Sequence, residues 1–418
     1  MVNELILILS FTVLFFSLLS NKLHSTILTL PIAFTFTGFL LGADLLNLID
    51  IPLSSGLIRF FAEVALILVL YSDASRIKLS SVQKHHNIPI RLLLLGLPLT
   101  VILGSVIAKS LFDNFSWYEA ALLASILAPT DAALIHTVVS YQKVPIRIRQ
   151  ALNIESGLND GLMVPVIIGL LSFINTNIES LSINQWLLFL LMQITIGTSV
   201  GIFVGYFGGK TFESRMKKRW MNKLFEELFA VAMAFFTYSL AQILSGNGFI
   251  AVFVCGLIVG KTSKTLCTQI NNFTAAEGQL LVLILFFFFG SSFLGSVFVT
   301  ISWKIFLYSI LSLTIIRMVP VFLSVLGCNL KFETFFYLGW FGPRGIASIV
   351  FAFLMIEQIE SSVAAMIFSI AIATIFLSIF LHGITSLPFS KWYAKKLRTK
   401  KRNEEDRKVS EMPTRLKF

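Results

Sequence analysis

Apolar stretches of bilayer length recur from one end of the chain to the other, separated by short polar segments. With the ~20 residues that cross a hydrocarbon core as the ruler, about thirteen spans are predicted. They lie at 4–20, 26–42, 56–74, 92–112, 117–140, 148–174, 185–208, 224–244, 247–260, 275–294, 303–326, 333–356 and 362–386. Two are irregular: 247–260 is short and 117–140 is interrupted. The pattern predicts an all-α polytopic membrane protein, because in lipid each backbone N–H and C=O must find its partner within the segment. The stretch Leu5 to Leu19 has no basic flank before it and no clear cleavage site after it, so it reads as a retained first helix.

The loops sort by charge. Lys22; Arg76, Lys78 and Lys84; Lys143, Arg147 and Arg149; Lys210, Arg215, Lys217, Lys218 and Arg219; Lys261 and Lys264; Lys331; and the tail from Lys391 fall on one side. The intervening loops, 43–55, 113–116, 175–184, 245–246, 295–302 and 357–361, hold no Lys or Arg and carry Asp44, Asp50, Asp113, Glu179, Glu357 and Glu360. The positive-inside rule then puts the N-terminus outside a cell membrane and the C-terminus in the cytoplasm. The tail 391–418, rich in Lys, Arg and Glu, is predicted to be disordered and to rest on anionic lipid.

Composition agrees. Of 418 residues, 56% are hydrophobic and 13% charged, against about a quarter charged in soluble domains. The net charge of +11 reflects the loop bias and not a nucleic-acid surface. Cys255, Cys267 and Cys328 have no metal spacing, so neither a disulfide nor a metal cluster is predicted, and no cofactor. No P-loop pattern is present, which leaves an ion gradient or passive flow as the energy source for transport.

Ionisable groups at membrane depth are costly and so mark candidate sites. Three clusters stand out. In Ala128-Pro129-Thr130-Asp131, Pro129 lacks an N–H and should break the fifth span. A broken helix exposes backbone carbonyls near the midplane; Thr130 offers a hydroxyl and a carbonyl. Asp131 would balance the positive end of the half-helix that follows it, or simply cap a kink. In the run from Asn153 to Gly161, Glu155 and Asn159 share one helix face and Ser156 and Asp160 the adjacent one. A hard cation prefers oxygen ligands, which Asp160, Ser156 and the Thr130 carbonyl could supply. One carboxylate holds a proton or a cation but not both, the minimum chemistry for exchange; a satisfied polar knot between helices is the alternative. In Gly342-Pro343-Arg344-Gly345 the twelfth span should be interrupted as well. Arg344 there needs an anionic partner, for which Glu155 is the best candidate. Arg317, in the eleventh span, would pair with Asp131 or Glu155, or snorkel to an interface. Spans four to six and eleven to thirteen each carry a central break, which suggests an inverted repeat.

At these residues the sequence resembles the monovalent cation/proton antiporters of the NhaP type, in the sodium/proton exchanger superfamily. Glu155-Ser156-x-x-Asn159-Asp160-Gly161 matches the family's central motif, Thr130-Asp131 its unwound-helix motif and Gly342-x-Arg344-Gly345 its second interrupted helix. The resemblance implies two crossed discontinuous helices in a core domain (90–174 and 303–386), beside interface helices (1–75 and 184–294) that form a homodimer. It implies a cation held by Asp160, Ser156 and Thr130, with Glu155 bound to Arg344 and Asn159, and Asp131 and Arg317 in support. Because Asn159 cannot take a proton, an electroneutral one-for-one exchange is implied, of Na+ or alternatively K+ or Li+ for H+. Two departures are visible: Pro129 precedes Thr130 where relatives often have Pro after the Asp, and Gly157 replaces a larger residue.

Two other function classes compete. A passive cation channel could line its pore with Glu155 and Asp160. A membrane enzyme would need a motif that His24, His85, His86, His136 and His382 do not form. Most of these histidines lie at loop edges and read as interfacial; His136, five residues after Asp131, could tune a pH response.

Overall fold

The computed structural model describes residues 2–24, 28–43, 45–49, 56–76, 87–131, 134–174, 183–273, 277–300, 302–359, 361–398 and 405. Among these the regular structure is helical, with one isolated bridge between Gly42 and Ile49. The first helices are α1 (Val2–His24), α2 (Leu30–Leu41) and α3 (Gly56–Arg76). Next come α4 (Asn87–Arg91) and α5 (Leu97–Leu111), joined by a π-helical turn over Leu92–Gly96. Pro98 accounts for that turn. It has no N–H to offer Leu94, and the Leu97 N–H reaches back to Leu92 instead.

Helix α6 (Trp117–Leu127) starts at a capping box: Ser116 accepts from the Glu119 N–H and Glu119 accepts from the Ser116 N–H. Short α7 (His136–Ser140) leads to α8 (Ile146–Ile174). Then follow α9 (Ile183–Lys217), α10 (Lys223–Ile243), α11 (Gly248–Thr262), α12 (Lys264–Phe273) and α13 (Gln279–Thr300). The last set is α14 (Trp303–Leu313), α15 (Ile315–Ser324), α16 (Phe332–Trp340), α17 (Ile346–Gln358) and α18 (Ser362–Arg398).

Each predicted apolar segment coincides with a helix or an interrupted pair of helices. Among the described residues six helices are long and apolar enough to cross a membrane: Ile88–Leu111, Ile146–Ile174, Leu191–Lys217, Lys223–Ile243, Trp303–Ser324 and Ser362–Leu397. Six shorter apolar helices of 10–17 residues accompany them, two of which, Trp117–Leu127 and Ile346–Ile356, are short because the chain unwinds beside them. Helix α3 is in neither set; its sequence carries Arg59, Glu63, Asp73 and Arg76.

Small residues set the closest helix contacts, as expected where lipid offers no hydrophobic drive for association. Gly197, Gly201 and Gly205 let α9 lie on the backbone of α11, and Gly38 and Gly42 do the same for α2 on α13. Helix α11 also packs on α3, which in turn touches α8 and α17. Helices α6, α8, α14, α17 and α18 pack on one another around the residues singled out above.

Several expectations change. Arg147 and Arg149 are not loop residues but sit buried in the first turns of α8, where Arg149 donates to the carbonyls of Val139 (2.9 Å) and Val144 (3.1 Å). At the acid-rich side, Lys109 reaches out of α5 to the carbonyls of Asp113 and Phe115, and Lys304 lies 3.6 Å from the Asp113 carboxylate. At its described residues, 391–398 and 405, the tail is ordered where disorder was predicted. Helix α18 runs on through Arg398, and Glu405 is buried, accepting from the Lys331 N–H (2.7 Å) and the Thr334 hydroxyl (2.9 Å) at the start of α16. The rest of the tail lies outside the described residues.

Candidate functional site: two unwound helices crossing beside α8

The chain leaves helical geometry after Leu127 and again after Trp340, at the two prolines the sequence marked. The two unwound segments cross. The Asp131 N–H donates to the Pro343 carbonyl at 2.8 Å, and the Ile346 N–H donates to Asp131 Oδ2 at 2.8 Å. Asp131 therefore caps the N-terminus of α17, where an anion is favoured. The sequence placed it at the half-helix following its own break; it serves the other broken helix instead. Gly345 has to be glycine, since a Cβ there would overlap the Asp131 carboxylate.

The converse contact completes the crossing. Arg344 Nη1 donates to the carbonyls of Ala128 and, at 3.2 Å, Pro129. These belong to the C-terminal end of α6, where unwinding leaves acceptors without helical donors and a cation is favoured. The expected Glu155–Arg344 pair is thus corrected: the carbonyls freed by the first break take this guanidinium. Glu155 pairs with Arg317, Nη1 to Oε1 at 2.5 Å, both side chains buried. Arg317 does not snorkel. Its guanidinium passes against Gly342, where a Cβ would collide with it.

Helix α8 docks on the first break through Thr130. The Ser156 hydroxyl donates to the Thr130 carbonyl at 2.6 Å, and Asn159 Nδ2 donates to the Thr130 hydroxyl at 2.7 Å. The Asn159 amide thus serves Thr130, not Glu155 as the resemblance implied. Asp160 follows in the next position, 5% exposed. All eight residues singled out in the sequence, Thr130, Asp131, Glu155, Ser156, Asn159, Asp160, Arg317 and Arg344, are buried around this crossing. The arrangement concentrates carboxylate, hydroxyl and carbonyl oxygens in a region closed to bulk solvent, with two arginines holding its frame.

A family model described as "Sodium/hydrogen exchanger, transmembrane" matches residues 7–392. The chain belongs to this family. It is accordingly a multi-pass membrane protein. Among curated relatives of this family member, the "K(+)/H(+) antiporter NhaP" of Alkalimonas amylolytica is 24% identical over 380 residues, 90% of this chain and 64% of the relative. The "Na(+)/H(+) antiporter" of Schizosaccharomyces pombe is 25% identical over 342 residues, 77% of this chain and 72% of the relative. The chain spans 34% of the "K(+)/H(+) antiporter NhaP2" of Shewanella sp. (strain ANA-3), at 25% identity. The solved structure of the sodium proton antiporter MjNhaP1 from Methanocaldococcus jannaschii superposes with a TM-score of 0.78 at 20% identity, covering 95% of this chain and 100% of that one. That likeness establishes the fold.

In this sodium/hydrogen exchanger family member the sequence reading passed over two features. Asp73, on α3, is buried, and its Cβ lies 3.5 Å from the position a Cβ on Gly157 would take. A fourth buried acidic side chain, after Asp131, Glu155 and Asp160, thus approaches α8 beside Ser156. The signal was present, an acidic residue inside the span 56–74. The second is His382, inside the predicted span 362–386; it is buried on α18 and bonded to the second break. His85 and His86, and the side chains of His24 and His136, lie outside the described residues.

Proposed function

We propose that this chain is a secondary active antiporter that exchanges a monovalent cation for H+, one for one, by alternating access. The observation that carries the reading is the docking of α8 on the first break: Ser156 and Asn159 bind the carbonyl and hydroxyl of Thr130, and Asp160 adjoins them. Oxygen ligands and an ionisable carboxylate are then together at a helix interruption, the setting in which secondary transporters bind coupling ions. Glu155 has its charge met by Arg317 and Asp131 has its charge met by the α17 N-terminus. Asp160, next in sequence to Asn159 and buried, is the group we assign to the competition between H+ and the cation. The Thr130 carbonyl, the Ser156 hydroxyl and Asp160 serve as the cation's ligands.

Na+ is the first choice of cation, and K+ the alternative, because relatives of nearly equal identity are named for each. A homodimer in the cell membrane, with the N-terminus outside and the basic loops and C-terminus in the cytoplasm, belongs to the same reading. Its support is the family resemblance and the alternation of loop charge. The family is one of transporters, which sets aside a membrane enzyme. A passive channel differs in a measurable way, since it carries current.

The test is proton flux in proteoliposomes with an entrapped pH dye. Pulses of Na+, K+ and Li+ should each report whether the cation drives proton movement, with and without a voltage clamp. The reading predicts flux that is insensitive to voltage and absent in Asp160→Asn protein that still folds. Unchanged flux in that variant, or a cation current, would defeat it.

A further inference from the structure

The second break leaves backbone groups that a continuous helix would have joined. In an uninterrupted helix the Arg344 N–H would donate to the Trp340 carbonyl, four residues back. Here the chain turns at Phe341, the Gly342 N–H takes one side of that carbonyl at 2.8 Å, and the Arg344 N–H points away. Two side chains one turn apart on α18 meet the separated ends. The Ser378 hydroxyl accepts from the Arg344 N–H at 2.6 Å. His382 Nε2 lies 2.8 Å from the Trp340 carbonyl. A carbonyl only accepts, so Nε2 carries the proton. His382 Nδ1 in turn lies 3.2 Å from the Ser378 hydroxyl and 3.0 Å from the Ser378 carbonyl. Helix α18 also grips Trp340 through its indole N–H, which donates to Thr385 at 2.9 Å. Both Ser378 and His382 are buried to within 1% of full enclosure.

We propose that Ser378 and His382 are positioning residues that splice the second break: together they replace the helical hydrogen bond that the interruption removes, and so fix where Arg344 stands. The consequence reaches the ion site by contacts already described. Ser378 holds the Arg344 backbone, the Arg344 guanidinium holds the carbonyls of Ala128 and Pro129, and the next residue, Thr130, carries the carbonyl and hydroxyl that Ser156 and Asn159 bind. Removing Ser378 strands the buried Arg344 N–H, and removing His382 leaves the Trp340 carbonyl with the Gly342 N–H alone; in a water-poor interior either loss drives the segment to rearrange.

The functional arm of this inference rests on the antiport reading; the structural arm does not. Amide hydrogen exchange across 341–346 should be slow in the unaltered protein. It should quicken at least tenfold in Ser378→Ala and in His382→Leu, with exchange in α9–α11 unchanged. His382→Gln keeps an N–H that reaches the Trp340 carbonyl, and Ser378→Thr keeps the hydroxyl, so both should retain slow exchange. In transport assays the Ala and Leu variants should raise the apparent KM for the cation about tenfold, the effect of one lost buried hydrogen bond, while the Gln and Thr variants stay within about twofold. If His382→Leu fails to fold, Ser378→Ala, a single hydroxyl deletion, decides. Wild-type exchange and KM in folded Ser378→Ala, or a Gln variant as impaired as the Leu one, would overturn the splice. If no cation moves protons in the unaltered protein, the antiport reading fails while amide exchange still decides this inference.

Discussion

Around the crossing, charged side chains are matched by different kinds of partner. Arg317 and Glu155 are matched by each other, 1% and 3% exposed. Both charges are out of water, so removing one strands the other. Arg317→Met should lower stability by about 3–5 kcal/mol, read as thermal unfolding in detergent, and adding Glu155→Gln should restore the larger part. If the double variant is no more stable than the single, the pair is not the source of the cost. Arg344 and Asp131 are matched by helix ends. Gly345→Ala should abolish transport and cost on the order of 1–2 kcal/mol as Asp131 is forced off the α17 cap; Gly56→Ala, where no atom lies within 4 Å, is the control. The identities of these charged residues were legible in the sequence, because an ionisable side chain in an apolar run has few structural reasons to be there. Of their pairings, Arg317 with Glu155 was one of two expected alternatives, and the partner of Arg344 was not foreseen. Opposite charge suggested Glu155 for Arg344, whereas the partners chosen were backbone carbonyls, and those become available only where α6 unwinds.

The interruptions themselves, at the scale of the element, were legible where proline stood mid-span, at Pro129 and Pro343. Others were not: the π-turn at Leu92–Gly96 and the bend at Thr314 that divides α14 from α15. Pro98 and Pro320 lie inside helices that absorb them by local rearrangement, and no composition rule separates a proline that breaks a helix from one that bends it. Glu405 in the tail differs from expectation for a related reason. The tail's charge predicted solvation, but Glu405 accepts from the Lys331 N–H and the Thr334 hydroxyl at the start of α16, an anion at a helix N-terminus. Glu405→Ala should release the chain beyond Arg398. Limited proteolysis of that segment should accelerate severalfold, with a stability loss of about 0.5–2 kcal/mol; an unchanged cleavage rate would show that the contact does not hold the tail.

For the whole molecule, the apolar periodicity was enough to place the helices and their order, because the bilayer fixes segment length and forbids open backbone. It could not give which helices touch: the close approach of α9 to α11 and of α2 to α13 depends on glycine faces whose partners lie far away in sequence. Asp73 went unnoticed on that account, its role visible only once α3 is laid against α8. At this scale the account makes its central claim, that one buried carboxylate is held in turn by H+ and by a cation. Titrating the purified protein with Na+ in buffers of differing ionisation enthalpy counts the protons released as the cation binds. The account predicts about one H+ per cation bound, and no binding-linked release in Asp160→Asn. Cation binding without proton release, or release that survives in the Asn variant, would contradict it.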